Sequence, residues 1–230
     1  MVTVFTSCWN QGNLLGWAIE SVLAQTRGDF EYLLYDDGST DTTWDVMQEY
    51  AAKDTRIRAV KLDKQPNVGV VINRSFKDVQ GSAWVWCPAD DLLLPELIQK
   101  KWEFSMQHPD TVLYSYGHYM RDNGTFYNTL KPKCYEPEEF RQVLKTKCPI
   151  GLTGVWIPTA VYQQVGPFPE HLKYSEDFYW MLMACKAGAD FRCVPELLYA
   201  KRHHGNRITE RHRAEILANV EKHRRDVGWL

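Results

Sequence analysis

Four short clusters hold the residue types that could do chemistry in this chain: Asp36-Asp37, Asp90-Asp91, Glu176-Asp177 and Arg202-His203-His204-Gly205-Asn206-Arg207. Asp36-Asp37 closes a strand-like run, where a carboxylate can accept hydrogen bonds from a ribose or a base. The same Asp-Asp-Gly-Ser stretch is also good turn and helix-cap sequence. Asp90 and Asp91 repel each other unless something cationic sits with them. Carboxylate oxygens suit Mg2+ or Mn2+, and a few protein ligands leave positions open for phosphate oxygens. The alternative is a loop feeding a helix whose first turn favours acids. Glu176 and Asp177 follow Ser175, a candidate cap, so they either stabilise a helix start or supply a general base. A carboxylate at a helix N-terminus is expected to stay ionised at pH 7, as a base must. In the last cluster a neutral imidazole can complete a metal shell, and Arg202 and Arg207 can contact phosphate oxygens. Its plainer reading is a basic surface loop.

The elements that must position these residues follow from hydrophobic periodicity. Val2–Thr6, Phe30–Tyr35, Ile57–Leu62 and Ala83–Cys87 read as strands, with helices between them. Leu14, Leu15, Ala18, Ile19, Val22 and Leu23 recur at helical spacing. The second helix runs to about Ala52, the third covers Val70–Val79, and the fourth follows Pro95, which suits a first turn, to about Met106. This alternation predicts a largely parallel sheet with helices on both faces, and ligands beyond the carboxyl ends of its strands. After residue 110 the rhythm loosens. Val112–Tyr119 reads as a strand and Arg121-Asp122-Asn123-Gly124 as a hairpin turn. Residues 128–150 read as a loop with a short helix. A strand at Val155–Ile157, helices at Pro158–Val165 and Ser175–Ala187, a strand at Phe191–Ala200 and a final helix over 209–225 complete the chain.

Composition sets the bounds. With 230 residues, 44% of them apolar, the chain can fill one large domain or two small ones, and no linker or repeat divides it. Mixed charge and 13% aromatics exclude a disordered chain. No apolar run approaches the ~18 residues of a membrane span. Met1 leads directly into Val2-Thr3-Val4-Phe5, which does not read as a secretory signal. The six cysteines include no C-x-x-C pair and read as reduced, buried thiols, which points to the cytoplasm. The net charge of −2 hides an asymmetry: segment 201–226 carries eight Lys/Arg against four acids, net +4, which leaves −6 for the rest. A basic end on an acidic body suits an anionic substrate, a membrane surface or nucleic acid, or is simply a solvated helix face.

The order of these clusters carries more than each alone. Val2–Asn10, then Ala18–Thr26, then Asp36-Asp37-Gly38-Ser39-Thr40-Asp41 strongly resemble the opening of glycosyltransferase family 2 enzymes of the GT-A fold. Asn73 with Gly81, Ala89-Asp90-Asp91 with Leu94-Pro95, Gly166-Pro167-Phe168, Glu176-Asp177 and the Arg-His region follow in the family's order. The resemblance covers about residues 2–210. It implies one α/β domain, a GT-A type α/β/α sandwich with a mostly parallel central sheet and a Rossmann-like N-terminal half. Residues 1–110 would form the nucleotide-sugar half, 111–208 the acceptor and catalytic half, and 209–230 a C-terminal basic helix.

The resemblance also implies roles. Asp177 matches the catalytic base, with Glu176 beside it. Ser7, Trp9, Asp36, Asp37, Asn73, Asp90, Arg202 and Arg207 match donor-binding positions, and Trp9 could stack on the nucleobase. Asp91 and His203 match metal-binding positions, with His204 as the fallback, for Mn2+ or Mg2+. Trp180 is the candidate acceptor contact. The implied reaction is inverting transfer from a nucleotide-sugar, by family habit a UDP-sugar, to an acceptor hydroxyl on a glycan, a lipid-linked sugar or a protein, in glycan biosynthesis. No nucleic-acid partner is implied, and a peripheral membrane contact would use the basic C-terminal helix. The sequence departs from the family's pattern in three places: Cys8-Trp9-Asn10 near the base site, Pro88 where another Asp is common, and a short Asn67–Asn73 stretch with Ile72 at a commonly basic position. The last leaves the cationic donor contact to Arg74 or Lys64. The competing readings are a sugar nucleotidyltransferase and a nucleotide-sugar-binding relative without turnover. A Gly-rich opening would favour the first, but residues 5–15 hold only Gly12.

Overall fold

The structure, a computed structural model, describes residues 1–203, 212–226 and 228. Its elements run β1 (Val2–Cys8), α1 (Gly12–Leu23), β2 (Phe30–Asp37), α2 (Thr43–Lys53), β3 (Ile57–Leu62), α3 (Val68–Ser75), β4 (Ala83–Trp86), β5 (Leu92–Leu93) and α4 (Leu97–Gln107). They continue with β6 (Thr111–Met120), β7 (Phe126–Leu130), α5 (Pro137–Leu144), β8 (Trp156–Pro158), α6 (Thr159–Val165), α7 (Glu176–Lys186), β9 (Asp190–Arg202) and α8 (Arg213–Asp226).

One mixed sheet runs in the order β3-β2-β1-β4-β8-β6-β9-β5, with β7 added to β6. The four N-terminal strands are parallel, as the strand–helix alternation requires. β8 then runs antiparallel between β4 and β6, while β6 and β9 pair in parallel. The sheet is therefore parallel in its first half and mixed in its second, where the sequence rhythm loosens.

Strand alternation builds the layers. Phe5, Leu33, Tyr35 and Trp84 face one helix layer, and Val4, Tyr32, Leu34 and Val85 face the other. The first layer takes α3 and α5–α7; the second takes α1, α2 and α4. Both faces of β1, β2 and β4 carry buried apolar side chains, as expected of a sheet covered on both faces.

Several local expectations are sharpened. α3 starts at Val68 because the Asn67 side chain accepts from Val70 N at 3.2 Å, an N-cap, and it ends at Ser75 rather than near Val79. The Arg121–Gly124 turn is present, with Gly124 in the left-handed region at φ +84° and its N–H bonded to Arg121 O at 2.9 Å. It joins β6 to β7, so residues 128–130, expected in a loop, belong to a strand. The two-residue β5 was not anticipated either, because so short a strand leaves no periodicity. Cys8, Cys87, Cys185 and Cys193 are buried free thiols as expected, but Cys134 and Cys148 are exposed. α8 is not simply a solvated helix: His223 is buried against Tyr179, and Val220 packs on the first core layer. No helix among the described residues is long and apolar enough to cross a membrane.

Candidate active site

The strand ends open into a cavity of about 1050 Å³. Ser7, Trp9, Asp37, Asp90, Asp91, Glu176 and Asp177 all line it, so three acidic clusters far apart in sequence meet in one space. It lies at the carboxyl ends of the parallel strands, where such sheets bind ligands.

On one side stand Trp9 and Asp37. Adjacent strand residues point to opposite faces, and this separates the first acidic pair. Asp37 faces the cavity and pairs with Lys64, and it accepts from Gln65 N at 2.7 Å. Lys64 also lies 4.6 Å from the centre of the Trp9 ring. Gly38 makes this possible. Its φ is +71°, and a Cβ there would lie 2.6 Å from Lys64 N, so only glycine lets the chain after β3 come this close. Asp36, expected at the donor, is instead fully buried and accepts from Ser39 N at 3.0 Å, fixing the turn.

In the middle lie Asp90 and Asp91. Asp91 is buried; one oxygen accepts from Thr153 Oγ1 at 2.7 Å and the other from Arg202 N at 2.9 Å. Burial and the Asp90 charge push its carboxyl up to about 7, against a smaller downward pull from Lys201. A cation there would offset both upward effects. Among the described residues no three His, Cys, Asp or Glu side chains cluster to hold a metal by themselves. Two hard carboxylates with room for phosphate oxygens nonetheless fit Mg2+ or Mn2+. His203, expected as a metal ligand beside them, does not line the cavity; past the end of β9 its Nδ1 is bonded to Tyr127 Oη at 2.8 Å.

Opposite them, α7 begins with Glu176 and Asp177. Ser175 precedes them in the left-handed region, φ 66°, and makes no side-chain cap; its hydroxyl instead points to Ile216 O on α8, at 3.4 Å. Ile216 and Val220 of α8 complete the cavity wall here. Asp177 accepts from Phe178 N at 2.7 Å. Burial raises its carboxyl above the ordinary range, while that bond and Lys201 pull it down. The helix terminus expected to keep this acid ionised is thus opposed by the cavity walls, whose desolvation is the larger effect. Glu176 is pushed up to about 8 by burial and by Asp177.

Three further expected residues do not line the cavity. Asn73 spends its amide on Phe168 and Glu170 and accepts from Tyr162 Oη and Phe168 N, bracing α3 against the loop before α7. Trp180 is 1% exposed, stacked on Phe168, with Nε1 donating to Gly166 O at 3.0 Å, so it is core. Arg202 is also 1% exposed. Its Nε donates to Asp90 O at 3.0 Å and its Nη1 to Asp122 O at 2.6 Å, tying the acidic loop to the β6–β7 turn. Arg207 and His204 lie outside the described residues. Lys131, Lys173 and Lys201 line the cavity without having been expected there, and of these Lys201 acts on both Asp91 and Asp177. Alternation along β9 separates it from Arg202, but that signal is usable only once the strand's face is known. Of the two earlier candidates, Lys64 lines the cavity and Arg74 does not.

A half-parallel α/β sandwich with its cavity at the strand ends is the architecture of the GT-A fold. Solved structures bear this out: S. aureus TarS 1–349 in complex with UDP-GlcNAc superposes at a TM-score of 0.75, with 18% identity over 98% of this chain and 70% of that one. The mannosyltransferase PcManGT from Pyrobaculum calidifontis, in complex with GDP-Man and Mn2+, does so at 0.72, with 16% identity over 95% and 62%. Residues 3–164 match the profile of Glycosyl transferase family 2, and the chain belongs to that family. An uncharacterized glycosyltransferase of Rickettsia felis is 29% identical over 80% of this chain and 30% of its own length. The putative teichuronic acid biosynthesis glycosyltransferase TuaG of Bacillus subtilis is 29% identical over 54% and 50%. The chain thus spans about a third to a half of the length of these curated relatives.

Proposed function

We propose that the chain transfers a sugar, with inversion, from a nucleoside-diphosphate donor to an acceptor hydroxyl. The observation that carries this reading is the meeting of Trp9–Asp37, Asp90–Asp91 and Asp177 around one cavity. Trp9 would stack on the base and Asp37 would accept its hydrogen bonds, with Ser7 beside them. Asp91 and Asp90 would hold a divalent metal, which when bound offsets charge on the diphosphate. Lys201 lines the same cavity and favours the ionised forms of both Asp91 and Asp177. Asp177 takes the proton of the acceptor hydroxyl, whose oxygen bonds to the anomeric carbon. The anomeric carbon–oxygen bond breaks on the opposite face, and its electron pair leaves with the diphosphate. Glu176, held mostly protonated, sits beside the base without competing for that proton.

UDP-sugars are the favoured donors: family habit and the UDP-GlcNAc bound by TarS support this, while the GDP-Man of PcManGT marks the other option. The name of TuaG, a putative teichuronic acid biosynthesis glycosyltransferase, supports a role in glycan or polysaccharide biosynthesis. A cytoplasmic site of action suits the buried thiols, and any membrane contact would fall to the outward charged side of α8, where Lys222 and Arg225 lie.

The test is Asp177→Asn. Transfer should fall by about 10²–10⁴-fold, the usual worth of a positioned base, with nucleotide binding retained. Turnover at the wild-type rate would remove Asp177 from its role.

A further inference from the structure

The β6–β7 hairpin carries a group of exposed rings that the site described so far does not use. Tyr127 is 40% exposed and Phe126 46%. The pairing of the two strands steps from Tyr119 opposite Asn128 to Met120 opposite Phe126, which leaves Tyr127 as the extra residue of a bulge. A bulge re-aims a side chain, and bulges recur beside active sites. Here Tyr127 stacks on Tyr119 at 5.9 Å and on His203 at 6.3 Å. The Arg121 guanidinium lies 4.8 Å from the centre of the Tyr127 ring. Tyr119 itself lines the main cavity, as does Thr129 at the other end of β7. The rings therefore form a shelf continuous with the cavity rim.

The shelf stands on β6 and β7, separated by β4 and β8 from β1 and β2, whose ends carry Trp9 and Asp37 into the cavity. Trp9 and Asp37 already offer a nucleobase site, so the rings of the shelf are surplus to the donor. Their setting favours sugar rather than lipid. The rings are interleaved with the polar groups of Asn128, Thr129, Arg121 and His203, and pyranose rings offer apolar C–H faces with hydroxyls around the edge. Phe126 stacks instead on His118, one residue before Tyr119 and so on the other face of β6, which leaves Tyr127 and Tyr119 as the rings of the shelf.

We propose that this shelf is an acceptor subsite that binds sugar rings of an oligosaccharide beyond the one that receives the transferred sugar. The proposal rests on the glycosyltransferase reading above. Its core is the Tyr127 ring, stacked on Tyr119 and His203 at the mouth of the cavity.

The test uses the full chain on a printed array of microbial and plant oligosaccharides, with wild type, Tyr127→Phe and Tyr127→Ala compared. Wild type and Y127F, which keeps the ring, should bind a common set of glycans. In Y127A those signals should fall at least tenfold. If Y127A lowers the melting temperature, Tyr127→Leu keeps apolar bulk at this exposed position without the ring, and should lose the signals equally. Equal binding by the ring-less variants overturns the shelf, as does a wild type that binds no glycan. A change from dimer to monomer in Y127A, with no glycan signal, would make β7 a contact between copies and also overturn it. Thermal shifts with UDP and GDP, each with Mn2+, are read in parallel on wild type. No shift with either nucleotide counts against the proposed function, whereas nucleotide shifts without glycan signals count against the shelf alone.

Discussion

Asp91, Glu176 and Asp177 are held in states that differ from those of free carboxylates, and the differences can be measured. Asp177 must be ionised to accept a proton, yet burial raises its carboxyl, so transfer should fall as pH drops through a value above the usual carboxylate range. Lys201 opposes that rise. Lys201→Met should therefore move the acid limb of the kcat/KM profile to higher pH, and an unmoved limb would show that Lys201 does not act on the base. Glu176 gives the opposite kind of prediction, about stability. Its folded value of about 8 lies above the ~4.3 of an unfolded glutamate, so between these the folded state holds the extra proton and wild type loses stability as pH rises. Glu176→Gln does not titrate. Its melting temperature should exceed that of wild type by more at pH 8 than at pH 5. The residue types at all three acidic clusters were legible in the sequence because strand ends and helix starts are local signals. Which acid of each pair faces the cavity was not, since Asp36 and Asp37 differ only in the face of β2 on which they fall.

Arg202 shows how elements, rather than single residues, hold the site. Its side chain bonds the carbonyls of Asp90 and Asp122, and its ring-facing side lies 5.4 Å from Trp17 on α1. Three pieces of chain are thus fastened by one buried guanidinium: the acidic loop, the hairpin turn and α1. Arg202→Met would leave these carbonyls without their donor and should cost about 3 kcal/mol in urea unfolding. Arg202→Lys should recover only part of this, because one ammonium cannot reproduce the fork. If Arg202 instead touched the donor phosphates, both variants would weaken nucleotide binding without a loss of stability. Sequence reasoning placed Arg202 at the donor because a basic loop beside a candidate metal site is a sound local guess. The strand β9 extends further than its apolar run suggests, and this turns Arg202 inward and Lys201 toward the cavity. Trp180 fails for a related reason: three residues past Asp177 on α7 is one helical turn on, yet that turn is already packed under Phe168 and Gly166.

Across the whole molecule, the charge asymmetry takes on a structural sense. The acidic body brings its carboxylates to one cavity, and the basic segment begins with Lys201 inside that cavity and continues, past the residues not described, into α8, which closes the wall beside Asp177. Nucleotide binding should then depend on a cation to offset the acids. UDP or GDP at about 100 times its Kd should add about 2.7 kcal/mol to unfolding with Mn2+ present. Chelation should remove most of that gain, and a gain unaffected by excess chelator would take the metal away from Asp90 and Asp91. What the sequence by itself determined was the α/β architecture, the family and the three acidic clusters, because apolar alternation, turn residues and motif order are short-range properties of the chain. What only the tertiary structure decided was which members of those clusters share the cavity, that Lys201 rather than Arg202 enters it, and that α8 forms its wall. The physical reason is register. A strand's residues alternate between faces with a period of two, so the face each side chain receives is set by pairing with distant strands, such as β9 on β6, and no local pattern encodes that pairing.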